Sequence, residues 1–126
     1  MKLKKFWIGF LVLAFFAPLI SCARGTDSEI LGTWIHEEYH GGGRSTLETF
    51  TFYADGRFSH EERTYGQFGG RWDVRTFTDT GTFVARNGQM RVTFDGEVEE
   101  MVWTYVVSGN VVRFDYDGES ITFRRP

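Results

Sequence analysis

Two pentapeptides share an order of residues that could do chemistry. Trp34–Glu38 reads WIHEE and Phe58–Glu62 reads FSHEE, so each runs aromatic, any residue, His, Glu, Glu. Two of the three histidines of the chain lie in these copies. Imidazole and carboxylate side chains together can ligate a cation, move a proton or fix the polar head of a ligand. With Glu48 between the copies, the candidate polar set is His36, Glu38, Glu48, His60 and Glu62.

Each chemistry has a geometric requirement. A metal site needs His36 and His60 to converge with a carboxylate, and inward-pointing residues on strands flanking a third lie about 10 Å apart at the backbone. His36 and His40 have the H-x-x-x-H spacing of a helical site, but on a strand they stand roughly 13 Å apart. A carboxylate pair drawn from Glu38, Glu48 and Glu62 could serve acid–base catalysis. The nucleophile motifs are missing, however: no G-x-S-x-G, no cysteine after Cys22, no phosphate-binding loop. Gly41-Gly42-Gly43-Arg44 lacks the Lys-Ser/Thr ending of such a loop and reads as a hairpin connection. The expectation is therefore a protein that is not an enzyme and holds no metal or cofactor. It binds a small molecule, with Trp72, Trp103 and Tyr105, beside Phe50 and Phe83, around an apolar cavity and the His/Glu set at its mouth. A filled aromatic core with no ligand is the alternative, because a barrel of eight strands can be just wide enough for its own side chains. The protein is then a structural or interaction component.

Strands must position these residues. After Ile30 the alternation is period two almost throughout, and turn pairs are dense: Asp55-Gly56, Asn87-Gly88, Asp95-Gly96 and Asp117-Gly118. The pattern predicts strands near 32–39, 46–53, 57–64, 70–77, 82–86, 89–95, 98–107, 111–116 and 120–125, eight or nine in all. A meander this long closes on itself to remove its edges, so an antiparallel up-and-down β-barrel is expected. Alternation points Trp34, His36, Glu38, Glu48, Phe50, Phe58, His60, Glu62, Trp72, Val74, Trp103 and Tyr105 inward, and Arg71, Asp73 and Arg75 outward. The loops 40–45 and 65–70 then share an end with the His/Glu set, and Ala54-Asp55-Gly56 closes the other.

The first two dozen residues are of another kind. Lys2, Lys4 and Lys5 precede an apolar run over 6–20, of signal-peptide rather than membrane-spanning length. Leu19-Ile20-Ser21-Cys22 follows and resembles the lipobox of bacterial lipoproteins. The resemblance implies a signal peptide over 1–21 that is removed, a lipidated Cys22, a tether over 22–29 and a domain over 30–126. Acyl chains on Cys22 are then the membrane contact, and Ala23 in place of Asp implies the outer membrane if the cell is Gram-negative. Cys22 is the single cysteine, so no internal disulfide is available. All three lysines leave with the signal, so 11 arginines face 17 acids, a net charge of −6. Such a balance argues against a nucleic-acid partner.

LGTW (31–34), TFYADGRF (51–58), GRWDV (70–74), TYVVSGNVVRF (104–114) and ITFRR (121–125) together resemble the small bacterial lipocalin-like lipoproteins. That resemblance implies a lipocalin-like barrel over nearly the whole mature domain, and ligand binding by analogy. The chain is shorter than secreted animal lipocalins and lacks their disulfides.

Overall fold

Turn chemistry sets the strand count in the computed structural model, which describes residues 27–126. Asn87-Gly88 and Asp117-Gly118 each place two residues at positive φ (51° and 76°; 51° and 79°), the geometry of a two-residue hairpin turn with the strand twist built in. In chain order the elements are a 3₁₀ turn, Ser28–Ile30, then β1 Gly32–Gly41, β2 Arg44–Phe52, β3 Arg57–Phe68, β4 Arg71–Arg86, β5 Gln89–Phe94, β6 Met101–Ser108, β7 Val111–Tyr116 and β8 Glu119–Arg124. The two hairpin turns join β4 to β5 and β7 to β8. The strands form a closed antiparallel eight-stranded barrel in sequence order. The expected signal peptide, the expected lipidation at Cys22 and the expected tether up to Thr26 fall outside the described residues.

Two expectations about strands are corrected. The segments 70–77 and 82–86 are one strand of 16 residues. Asp79-Thr80-Gly81 imitates a turn, but Gly81 serves packing instead. A Cβ there would stand 2.3 Å from the Thr93 carbonyl oxygen and 2.6 Å from Cε1 of Phe58. The sixth strand begins at Met101 rather than Val98, whose side chain is fully in solvent. Val98 belongs to an acidic connection, Asp95 to Glu100, between β5 and β6.

The continuous β4 changes which faces its residues occupy. Phe83 and Ala85 are buried in the core, and the pairing with β3 runs unbroken from Arg57↔Thr82 to Phe68↔Arg71. Parity then puts Arg71, Asp73, Arg75 and Phe77 on the inner-face side, and Trp72 and Val74 on the outer face. The expectation that Trp72 and Val74 point inward is therefore wrong. They are 63% and 47% exposed, and Trp72 lies against Gly43, where a Cβ would come within 2.7 Å of its ring.

Strand lengths make the barrel lopsided. β1 to β4 rise past the short β5 to β8, so among the described residues the first half of β4 has β3 on one side and no strand on the other. At the opposite end the barrel is plugged. Ile30 and Trp34 are fully buried, and Trp34 Nε1 donates to the Ile30 carbonyl at 2.8 Å. Arg125 stacks 3.7 Å over the Trp34 ring and donates to the carbonyls of Leu31 (2.8 Å) and Glu29 (3.0 Å). Above the plug Phe52, Phe58, Phe83, Met90, Val92 and Val112 fill the interior. β1 and β8 share one residue pair, Ile35↔Arg124. Where they diverge, His36 Nδ1 donates to the Thr122 carbonyl at 2.9 Å and bridges the seam.

Candidate functional site

Register converts the repeated pentapeptides into a row. His36 pairs with Glu48, Glu48 with Glu62, and Glu62 with Phe77, all across adjacent strands. One step toward the plug lies the row Trp34, Phe50, His60 and Asp79. The two histidines therefore occupy different rows. His60 is buried and donates from Nε2 to Glu48 Oε1 at 2.8 Å. Its ring stacks on Phe50, centroids 4.3 Å apart and planes 25° apart. His36 faces the seam and packs against Phe123, with ring centroids 5.5 Å apart. Among the described residues, no group of three or more His, Cys, Asp or Glu side chains is placed to hold a metal ion.

The Glu48–His60 pair stands at one wall of a cavity of about 240 Å³. Phe50, Trp103, Phe114 and Phe123 form its base, and Phe94, Met101, Tyr116 and Ile121 its apolar sides, with Glu119 at the rim. Phe50 organises the base: Trp103 and Phe123 meet it edge-on at 5.8 and 5.5 Å, and Phe114 is tilted at 6.4 Å. Edge-to-face contacts of this kind are favoured by the aromatic quadrupole and add to the burial of the rings. The indole Nε1 of Trp103 is buried and has no hydrogen-bond acceptor among the described residues. A buried donor without an acceptor typically costs about 1–3 kcal/mol.

Three of the residues expected around this site are elsewhere. Trp72 is on the outer face, as described. Tyr105 is buried nearer the plug, where its hydroxyl donates to Asp27 Oδ2 at 2.5 Å. Burial and that hydrogen bond push the phenol well above its usual range. Tyr105 therefore fastens the start of the domain and does not line the cavity. Glu38 is exposed on the rising part of β1, opposite Thr46. Glu62 and His36 flank Glu48 at the level of the mouth but are not cavity walls. Of the expected set, Glu48, His60 and Trp103 meet at the cavity.

Phe94, Met101, Phe114, Tyr116, Glu119, Ile121 and Phe123 are cavity residues that were not expected as site residues. Alternation places most of them inside, but it does not separate lining from packing. That distinction depends on where β5 to β8 stop, because the short strands leave their inward residues without a layer above them. Comparison of the chain with protein-family models, with curated proteins and with solved structures gave no match.

Proposed function

We propose that the protein is a lipid-anchored lipoprotein of the bacterial envelope, with a lipocalin-like barrel that holds one small, mainly apolar molecule by a polar head. The observation that carries this reading is the open cavity with a part-buried Glu48–His60 hydrogen bond on its wall. A barrel that merely filled itself would place an aromatic or aliphatic side chain at these positions, as it does one layer below at Phe52 and Phe58. Retaining an acid and an imidazole beside an apolar space is worthwhile when a ligand uses them.

The volume limits the ligand. About 240 Å³ is below the roughly 300–1,000 Å³ of sites for drug-sized molecules. The polar groups suggest its head. Glu48 and Glu119 favour a cationic or hydrogen-bond-donating group, and Trp103 Nε1 is available to an acceptor.

Native mass spectrometry of the chain from Ala23 onward tests the reading. A single small-molecule adduct, lost on His60→Ala while the folded charge-state distribution persists, supports it. A bare mass both before and after incubation with short alkylamines would refute it. Anchoring is tested separately: Cys22→Ala should move the protein from the membrane to the soluble fraction.

A further inference from the structure

The rising half of β4 leaves a row of backbone groups without a partner strand among the described residues. Cα pairing with β5 begins at Gly81↔Phe94, whereas pairing with β3 extends to Phe68↔Arg71. The Thr80 carbonyl accepts from Asp95 N at 2.9 Å, so Thr80 turns its peptide groups to the β5 side. By alternation, Thr78, Thr76, Val74 and Trp72 turn theirs the same way, into solvent. At Val74 the amide donates to the neighbouring carboxylate, Asp73 Oδ1, at 2.8 Å.

We propose that this edge pairs with the same edge of a second copy, antiparallel and centred on Val74. The side-chain order of the strand, Arg71-Trp72-Asp73-Val74-Arg75-Thr76-Phe77, favours this arrangement. With Val74 opposite Val74, Asp73 faces Arg75 of the other copy twice, and Arg71 faces Phe77 twice. Moving the centre to Asp73 sets Asp73 against Asp73 and Arg71 against Arg75. Moving it to Arg75 sets Arg75 against itself. Centring on Trp72 also joins unlike charges, Arg71 with Asp73, but overlaps only residues 71–73 of each β4. The Val74 register overlaps 71–77 and sets unlike charges opposite each other at Asp73 and Arg75, the pairs that add stability across antiparallel strands. It also pairs the residues whose amides and carbonyls face outward, and brings Asp73 and Arg75 to the closer, non-hydrogen-bonded positions.

The charges of the single chain fit the same partner. Arg71 and Arg75 make no ion pair with a carboxylate among the described residues, although Arg57, Arg63, Arg91, Arg113 and Arg124 each do. The guanidinium of Arg75 stacks 3.9 Å over Phe68, so it is already held on the inner-face side where the partner's carboxylate arrives. The tip of the partner's β3–β4 hairpin, next to Arg71, arrives beside a groove carrying Asp79, Glu97 and Glu99. Charged residues on an edge normally discourage pairing with strands at large. This order makes an exception for its own reversed copy, an isologous two-fold contact that closes without propagating.

Cysteine scanning in the full chain tests the register, with Cys22→Ala removing the single native thiol. Opposed residues of a hydrogen-bonded pair lie about 5.5 Å apart at Cα, within disulfide reach. Val74→Cys should therefore give a disulfide-linked dimer on a non-reducing gel. Thr76→Cys, about 14 Å from its own counterpart along the strand, should not, and Trp72→Cys mixed with Thr76→Cys should. On the Val74→Cys chain, Asp73→Arg or Arg75→Asp alone should lower the dimer yield about tenfold, because like charges then oppose. Mixing these two variants should restore it, since both arginines of one chain then face both aspartates of the other. Restoration also rules out misfolding as the cause of the loss. No dimer from Val74→Cys, equal dimer from Val74→Cys and Thr76→Cys, or no restoration in the mixture would each overturn the proposal.

Discussion

His60 is held by two contacts of different kinds, and its substitution separates structure from binding. Alanine removes the hydrogen bond to Glu48 and the stacking surface on Phe50. A loss of about 1–2 kcal/mol in urea unfolding is expected, with the fold retained. Glu48→Gln keeps an acceptor for His60 but discards the charge, so stability should change little. Affinity for a short alkylamine should fall about tenfold, while that for an uncharged alcohol of equal length stays the same. Equal loss for both probes would show that the carboxylate does not select the head group. On the outer surface, Asp95 and Asp115 shape the acid limb of stability. The Arg57 guanidinium and the Thr80 hydroxyl hold Asp95 below the usual carboxylate range. Ser120, then Arg113, do the same for Asp115. A carboxylate with a depressed folded pKa contributes stability above its unfolded pKa and loses it as the pH falls through the folded one. Thermal unfolding followed from neutral pH downward should therefore steepen in its fall below the ordinary carboxylate range, and Asp95→Asn should flatten that part of the curve. Glu48 and His60 were legible in the sequence because alternation over two positions needs only one buried neighbour, Phe50 or Phe58, to set the face. Trp72 was not, because its face is inherited from Phe83, eleven positions away along a strand whose middle imitates a turn.

Gly81 shows what carries that parity. As a turn residue it would tolerate a side chain poorly because of its backbone angles. In the barrel the limit is space, with the Thr93 carbonyl and the Phe58 ring both inside contact distance of a Cβ. Gly81→Ala should destabilise the protein by about 1–3 kcal/mol as an overpacking change, read as a lowered midpoint in chemical denaturation. A neutral result would mean that β4 is not continuous at this point. The same reasoning accounts for the strand count. Asn87-Gly88 and Asp117-Gly118 are true hairpin turns and mark their strands well. Asp95-Gly96 has its glycine at a φ of 85° but leads into an exposed acidic connection, not directly into β6. Turn-type dipeptides thus report local backbone freedom, while the length of a strand is decided by what it packs on. The lopsided rim arises in the same way. No local signal tells β4 to run 16 residues and β5 only 6, since that difference is a property of their pairing.

For the molecule as a whole, the position of the N-terminal segment sets the direction of the mouth. Asp27 is tied to the plugged end by its amide on the Ala85 carbonyl at 2.8 Å and by the Tyr105 hydroxyl. Tyr105→Phe should release the carboxylate end of this fastening and lower stability by about 1–2 kcal/mol, without changing ligand affinity. A loss of affinity would return Tyr105 to the binding site. If Cys22 carries the lipid, Asp27 lies five positions further along, a reach of at most about 18 Å. The plugged end then sits near the bilayer and the cavity opens away from it. Everything proposed for this orientation depends on the space beside Glu48 and His60 receiving a ligand, and the indole of Trp103 is placed to report it. In a nitrogen–proton correlation spectrum of the chain from Ala23 onward, titration with a short primary alkylamine should shift the Trp103 indole signal saturably, together with the backbone amides of Glu48 and His60. The Trp34 indole, already bonded to the Ile30 carbonyl, should stay in place. An unmoved Trp103, or a response confined to the exposed Trp72, would mean that the cavity takes no such ligand.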